Sequence, residues 1–304
     1  MSPRDPAVRP RGGVPGGAEE ILAAFREAGV TGQVHAVDVL GGRDLGVGAD
    51  EDAVLASVFK VPLLVAFARL ADAGALDPRE RVHVPAEGRS PGPTGISAML
   101  DPVDMSLRDL AFLMITVSDN TAADTLVGRV GLDAVNAAMR ELGLRRTHVE
   151  HTGQDMYALM TEDVGGLDPA EFFADPAAIA RMRVLDPAVT NRGTPREMTR
   201  LLELVWRDEA ASPESCAMIR RCMGLQVWPH RLASGFPYDD VMVSGKTGTL
   251  PTIRNEIGVV EYPDGGTYAV AVFTRSSSTA QTQPRADAVI GVAARLAVEA
   301  LRRS

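Results

Sequence analysis

Lys60 and Lys246 are the only lysines in a chain that carries 31 Lys and Arg residues together. Every other cation is an arginine, which keeps its proton in a protein, whereas a desolvated lysine can lose it. A chain that writes its cations as Arg should keep Lys where chemistry demands it, and each lysine sits in a local pattern with a mechanism. Lys60 follows Ser57 by three residues, and on a helix i and i+3 share a face. Inside the apolar run ASVFKVPLL the amine is expected to be desolvated and its pKa lowered. It can then take the proton of Ser57 and make that hydroxyl a nucleophile. The first helical turn also offers free backbone N–H groups to an oxyanion. Taken alone, Ser-x-x-Lys also arises on capped surface helices.

Two further clusters stand out. Ser118-Asp119-Asn120 interrupts the apolar run FLMITVSDNTAADTL, so its polar groups must find partners; the plainer alternative is a short helix–helix turn. Lys246-Thr247-Gly248-Thr249 follows the strand-like VMVSG. There the glycine permits close backbone approach to a ligand, and a Lys with two hydroxyls on one strand edge suits an anionic substrate group. The plainer alternative is a strand ending in a turn.

The elements that must position these residues can be read from periodicity. Residues 1–17 are rich in Pro, Gly and Arg and read as a disordered tail. EEILAAFREAG reads as an amphipathic helix, QVHAVDVL as a half-buried strand and DLGVGA as its partner. SVFKVPLLVAFARLADAG and SLRDLAFLMITVSDNTAADTLVGRVG carry apolar faces at helical spacing, with Ser106 as N-cap to Asp109 in the second. LDAVNAAMRELG, TPREMTRLLELVWRDE and SPESCAMIRRCMG are further helices. The weakly periodic stretch between Arg146 and Thr194 reads as an extended loop or lid, with some helix allowed. VMVSGKTGT, NEIGVVEY and TYAVAVFTR read as strands, PDGG as a hairpin turn and PRADAVIGVAARLAVEALRR as a last helix.

This order predicts an α+β (α/β-α) fold: an antiparallel sheet flanked by terminal helices, plus an all-helical lobe. The expected division is one catalytic domain over 18–304. Its α/β lobe is drawn from 18–56 and 212–304, and its helical lobe from 57–211.

Ser-x-x-Lys, Ser-Asp-Asn and Lys-Thr-Gly in this order resemble the motif set of class A β-lactamases and penicillin-binding proteins. The resemblance extends over roughly residues 20–302: SVFKVPLL is similar to the nucleophile helix of class A enzymes, the stretch SLRDLAFLM through MRELG to their central helix pair, and TPREMTRLLELV, RLASGFP and VSGKTGT to the segments leading into the third motif. It implies a β-lactamase/transpeptidase-like fold and an acyl-serine mechanism on β-lactams or related amides and esters. Ser57 would be acylated, Lys60 would act as base and Ser118 would pass a proton to the leaving nitrogen. Asn120 would bind the substrate's side-chain amide. Lys246 would supply positive potential, and Thr247 and Thr249 would hold a substrate carboxylate. The N–H groups of Ser57 and Thr249 would form the oxyanion hole. Arg231, or else Arg254, would help hold the carboxylate.

One part of the resemblance fails. Class A β-lactamases need a Glu after the central helices, with an Asn four residues on, to activate the deacylating water. Here THVEHTGQDMYALMTED puts Gly153 at that position. The only Asn between Thr147 and Thr194 is Asn191, four residues after Pro187. Glu150 is the nearest substitute, with Asp155, Glu162 and Asp163 behind it, and Lys60 could itself serve the second step. General-base help is worth about 10²–10⁴-fold, so efficient turnover is not expected. Three functions follow: a β-lactamase; a D-alanyl carboxypeptidase, amidase, esterase or acyltransferase of small-molecule metabolism; or a sensor that is acylated and stays so.

Composition narrows the partners. A net charge of −9 and a pI near 5.1 argue against nucleic acid and anionic membranes. The expected partner is a small molecule bearing a carboxylate, met by a monomer. The five histidines show no metal-ligand spacing, so neither a metal nor another cofactor is expected. Cys216 and Cys222 lie six apart on one helix and are expected to be buried free thiols. No secretory leader or membrane span is visible, which reads as cytoplasmic, or as secreted if the N-terminus has been trimmed.

Overall fold

The computed structural model describes residues 17–166 and 169–303. In chain order the elements begin with α1 (Gly17–Ala28), β1 (Val30–Asp38), β2 (Asp44–Val47), β3 (Ala53–Val54) and α2 (Lys60–Asp72). A ribbon of β4 (Arg81–Val84) and β5 (Val103–Ser106) follows, then α3 (Leu107–Thr116), α4 (Asn120–Val130) and α5 (Leu132–Glu141). Next come α6 (Gly153–Val164), α7 (Pro169–Ala174), α8 (Pro176–Ala180), β6 (Arg192–Gly193), α9 (Pro195–Trp206) and α10 (Pro213–Gly224). The chain ends with β7 (Met242–Leu250), β8 (Ile253–Glu261), β9 (Thr267–Ser276) and α11 (Pro284–Arg303).

Five strands form one antiparallel sheet in the order β2-β1-β9-β8-β7. Its inner strands are covered on both faces, which explains their near-continuous apolar runs. Along β9, Ala269, Ala271 and Phe273 face the helical lobe, while Tyr268, Val270 and Val272 face α1 and α11. This is the two-residue period of a strand read twice, once for each core. QVHAVDVL therefore belongs to a strand buried on both sides rather than on one: Val34 and Ala36 join the α1/α11 core, and Val37 joins the other.

On the other face, α2 is the axis of the helical lobe, with every residue from Lys60 to Ala68 buried. A helix apolar all round is stable only with neighbours on every side; here they include α4, α5 and α10. Helix α9, grouped by sequence with the helical lobe, packs across β1 and β9, and α10, grouped with the α/β lobe, touches β7, α2 and α3. The tail reading over 1–16 lies outside the described residues, while Gly17 already opens α1.

The long helical reading through Ser118-Asp119-Asn120 breaks into α3 and α4, because Ser118 takes a positive φ of 58° and Asp119 caps α4 at the N–H of Ala122. The extended loop expected between Arg146 and Thr194 holds, among its described residues, three α-helices and a 3-10 turn, Arg183–Leu185. The first starts at a capping box, Thr152 with Asp155, which satisfies two otherwise orphan N–H groups. Cys216 and Cys222 are free and buried on α10, and burial pushes the Cys222 thiol up to about 11.

A buried polar cluster joins α9 to the sheet. His35 on β1 lies 2.5 Å from the Thr199 hydroxyl and 2.9 Å from Asp44, and Arg196 donates to Asp44 at 2.6 Å. The bond to His35, then that to Arg196, holds the Asp44 carboxyl at about 2 against an ordinary 3.8. This carboxylate stabilises the fold above pH 3.8, and the contribution is lost as the pH falls through 2; its size is about 2 kcal/mol. Asp44→Asn is expected to lower stability by about that amount at pH 7 and to differ little from the parent near pH 2, as read by urea titration at both pH values. Equal losses at the two pH values would show that the charge is not the cause.

Candidate active site

The segment carrying Ser57 is a 3-10 turn, Ala56–Phe59, wedged between β7 and α2. Ala56, immediately before Ser57, has φ 47°. A left-handed non-glycine residue is strained by about 1–3 kcal/mol and persists only where its surroundings enforce it. Part of that enforcement is Gly248 on β7: a Cβ placed there would lie 2.7 Å from the Leu55 carbonyl oxygen and 3.2 Å from Ala56 Cβ. The close approach that this glycine permits is thus to the backbone carrying Ser57, and Gly248 does not itself line the cleft.

Lys60 and Lys246 are both fully buried and meet at one hydroxyl. Lys60 Nζ donates to the Ser118 carbonyl at 2.7 Å and Asn120 Oδ1 at 2.7 Å, with Ser118 Oγ at 3.3 Å. Lys246 Nζ reaches the same Oγ at 2.9 Å and the Thr247 carbonyl at 2.8 Å. The positive φ of Ser118 lets its carbonyl and its hydroxyl both serve this pair. Two ammonium groups on one hydroxyl repel in a dry site. Burial brings Lys60 down to about 7 against the pull of Asp119 and Asp124. Burial and then the Lys60 charge push Lys246 well below its ordinary value.

The third motif lies on the sheet's edge strand. Gln226 takes the outward N–H of Thr247 (2.7 Å) and donates to Glu256 Oε1 (2.7 Å), whose other oxygen accepts from the Leu232 N–H. Alternate N–H groups of an edge strand point the same way, so the N–H of Thr249 faces outward like that of Thr247. Glu256 is fully buried, and burial raises its carboxyl to about 7. Its Oε1 fills the space a side chain would need at Gly245, where a Cβ would stand 2.5 Å away.

The cleft in front of these groups measures ≈ 330 Å³ and is lined by Ser57, Ser118, Asn120, Thr247, Thr249 and Arg231, together with Pro93, Thr94, Val117, Trp228 and His230. Arg231 is 4% exposed, and its donors are committed to Thr249 Oγ1, the Gly248 and Asn255 carbonyls and Asp287. It acts on the cleft mainly by fixing Thr249. Arg254 is not brought to the cleft: it donates to the carbonyls of Leu250, Ile253 and Gln281 and braces the β7–β8 turn.

Glu150 does not reach the cleft either. Half exposed, it pairs with His148 Nε2 at 2.8 Å, and its backbone is held by Asn191, whose Oδ1 accepts from the N–H groups of Glu150 and His151. The other loop carboxylates are also occupied: Asp155 caps α6, and Glu162 and Asp163 hold Arg183. At Gly153 the N–H donates to Asp124 Oδ1 (2.7 Å) and the next N–H to Oδ2 (2.8 Å), so Asp124 on α4 docks the start of α6. Among the described residues no carboxylate lines the cleft, and none of their His, Cys, Asp and Glu side chains form a group of three able to hold a metal. None of the described helices is long and apolar enough to cross a membrane.

Trp228, His230, Gln226 and Glu256 escaped the sequence reading. The signals were a Trp and a His in the four residues before Arg231, and a Glu directly before the apolar run IGVV.

The sequence and the fold both have relatives. A family model described as the beta-lactamase enzyme family matches residues 17–301. The chain belongs to that family, the hydrolases of the serine β-lactamase type. The beta-lactamase regulatory protein BlaB of Streptomyces cacaoi is 35% identical over 302 residues, covering 93% of this chain and 96% of that protein. The crystal structure of a beta-lactamase from Sphaerobacter thermophilus superposes with a TM-score of 0.77 at 27% identity, covering 95% and 97% of the two chains. PBP-A superposes with 0.79 at 23% identity over 98% and 100%, a likeness of fold alone.

Proposed function

We propose that the protein forms an acyl-serine at Ser57 from a β-lactam or a related amide or ester bearing a carboxylate, and releases the acyl group slowly. The observation that carries this reading is the buried Lys60 amine, titrating at about 7 one helical turn from Ser57 and bonded to Asn120. As the neutral amine it takes the Ser57 proton; the proton then passes to the leaving atom through Ser118 Oγ, which Lys246 also contacts. The N–H groups of Ser57 and Thr249 receive the oxyanion. Thr247 and Thr249, the latter held by Arg231, receive the carboxylate.

A second reading, a β-lactam-responsive regulator, draws on one further observation: no carboxylate among the described residues stands in the cleft to activate the deacylating water. The relative named a β-lactamase regulatory protein points the same way. Both readings predict a long-lived adduct. Incubation with penicillin G, a chromogenic cephalosporin and a p-nitrophenyl ester, followed by intact mass over time, is expected to show one acyl group per chain that outlasts mixing. Ser57→Ala should show none. Steady, rapid lactam turnover would favour an ordinary β-lactamase. No adduct and no turnover with any of the three would sink the proposal.

A further inference from the structure

One wall of the cleft is the stretch 226–232, from which Trp228, His230 and Arg231 all reach the cavity. The rings of Trp228 and His230 meet edge to face, their centroids 6.3 Å apart. This wall runs between α10 and the 3-10 turn Leu232–Gly235 and belongs to no helix or strand. Side chains must therefore help to hold it, beside the Val227 N–H on the Thr116 carbonyl (3.0 Å). A single carboxylate takes both of its ends. Glu256, on β8 opposite Thr247, accepts from Gln226 Nε2 with Oε1 and from the Leu232 N–H with Oε2, each at 2.7 Å. Glu256 is 1% exposed, and its charge faces Lys246 on β7 and Arg231 in the wall itself.

Every bond in this chain has a fixed direction. The Thr247 N–H can only donate, so the Gln226 atom that faces it at 2.7 Å is the carbonyl oxygen. The amide nitrogen of Gln226 is then left to donate to Glu256. The Leu232 N–H can only donate as well. Between these two donors fits a group with an acceptor for each, which an ionised carboxylate supplies. Leu232 directly follows Arg231, whose guanidinium holds Thr249 Oγ1 at 2.8 Å, and Thr247 stands two residues before Thr249 on β7. We propose that Glu256 is a positioning residue: by clasping both ends of this wall it keeps Arg231 and Thr249 where a substrate carboxylate is received. The substrate carboxylate rests on the acyl-serine reading proposed above, whereas the clasp stands independently of it.

Glu256→Gln keeps the shape but turns an N–H toward one of the two donors, so it can hold one end only. With Trp206→Phe, Trp228 is the sole tryptophan and its emission reports the wall; with Ser57→Ala, binding is read without acylation. In that background Glu256→Gln is expected to shift the emission and to weaken penicillin G about ten-fold or more, the scale of one lost charge-assisted hydrogen bond. Adding Gln226→Glu should restore the emission and bring binding back to within about three-fold, because the hydrogen-bond pattern is complete again. The carboxylate at 226 then accepts from Thr247, and the amide at 256 donates to it and accepts from Leu232. In chains that keep Ser57, p-nitrophenyl acetate, which has no carboxylate, should acylate Glu256→Gln within about two-fold of the parent, since the clasp serves the carboxylate end. Gln226→Met, at a half-buried position, frees one end and serves if Glu256→Gln fails to fold. Unchanged emission and binding in these single variants, or a double variant as impaired as Glu256→Gln alone, would overturn the clasp. If penicillin G binds none of the Ser57→Ala chains, the emission decides. The expected shift and rescue in a protein whose parent forms no adduct with lactam or ester would keep the clasp and defeat the acyl-serine reading.

Discussion

Replacing Lys60 with alanine is expected to slow acylation of Ser57 by about 10²–10⁴-fold, the usual worth of a positioned general base. Arginine should fare no better, because its guanidinium keeps its proton at any working pH. The same residue dictates the pH profile. Burial lowers the Lys60 amine to about 7, so the reactive neutral form grows ten-fold per pH unit below 7 and saturates above it. The acylation rate, followed by intact mass or stopped-flow with penicillin G, should rise and level accordingly in the parent and lose that inflection in both variants. A Lys60→Arg protein acylating at the parental rate would show that the proton leaves Ser57 by another route.

Gly248→Ala should be nearly as damaging, although this residue does not line the cleft. Its new methyl group would press on the Leu55 carbonyl and on Ala56, both backbone-bound neighbours that cannot swing aside. Overpacking of this kind costs about 1–3 kcal/mol. Part of the strain falls on a turn already held at a positive φ, so Ser57 should move relative to Lys60 and Thr249. A displacement of about 1 Å costs roughly 100-fold in rate. Thermal melting should show a modest loss of stability and burst kinetics a large loss of acylation. A variant that melts lower but acylates normally would mean that the nucleophile turn is not seated on Gly248.

Much of this was legible in the sequence because the chemistry is written in short, local patterns. Two lysines in an arginine-rich chain marked the two buried amines, and Ser106 caps α3 at Asp109 as its type and position predict. The sheet strands and α11 followed from periodicity, although burial of β1 on both faces depended on α1 and α11 folding back over it. Other features were not local. Ser118-Asp119-Asn120 could be read as helix interior or as a helix–helix turn; the structure has the break, with Asp119 capping α4, and the buried lysines use the polar groups it exposes. The Arg146–Thr194 stretch looked extended because α7 and α8 are short and α6, though longer, is docked by Asp124, distant in sequence. Arg231 and Arg254 looked alike as cations beside a strand. Which of them reaches the cleft depends on the path of the β7–β8 turn.

Asn191, beside the His148–Arg192 backbone pair, closes the segment that follows the central helices, its side-chain amide tying residues 150 and 151 to a point forty residues later. A knot at the neck makes the length of what hangs from it a free variable. Insertions placed beyond the start of α6, which Asp124 docks, are therefore expected to leave Ser57, Lys60 and Thr249 in place.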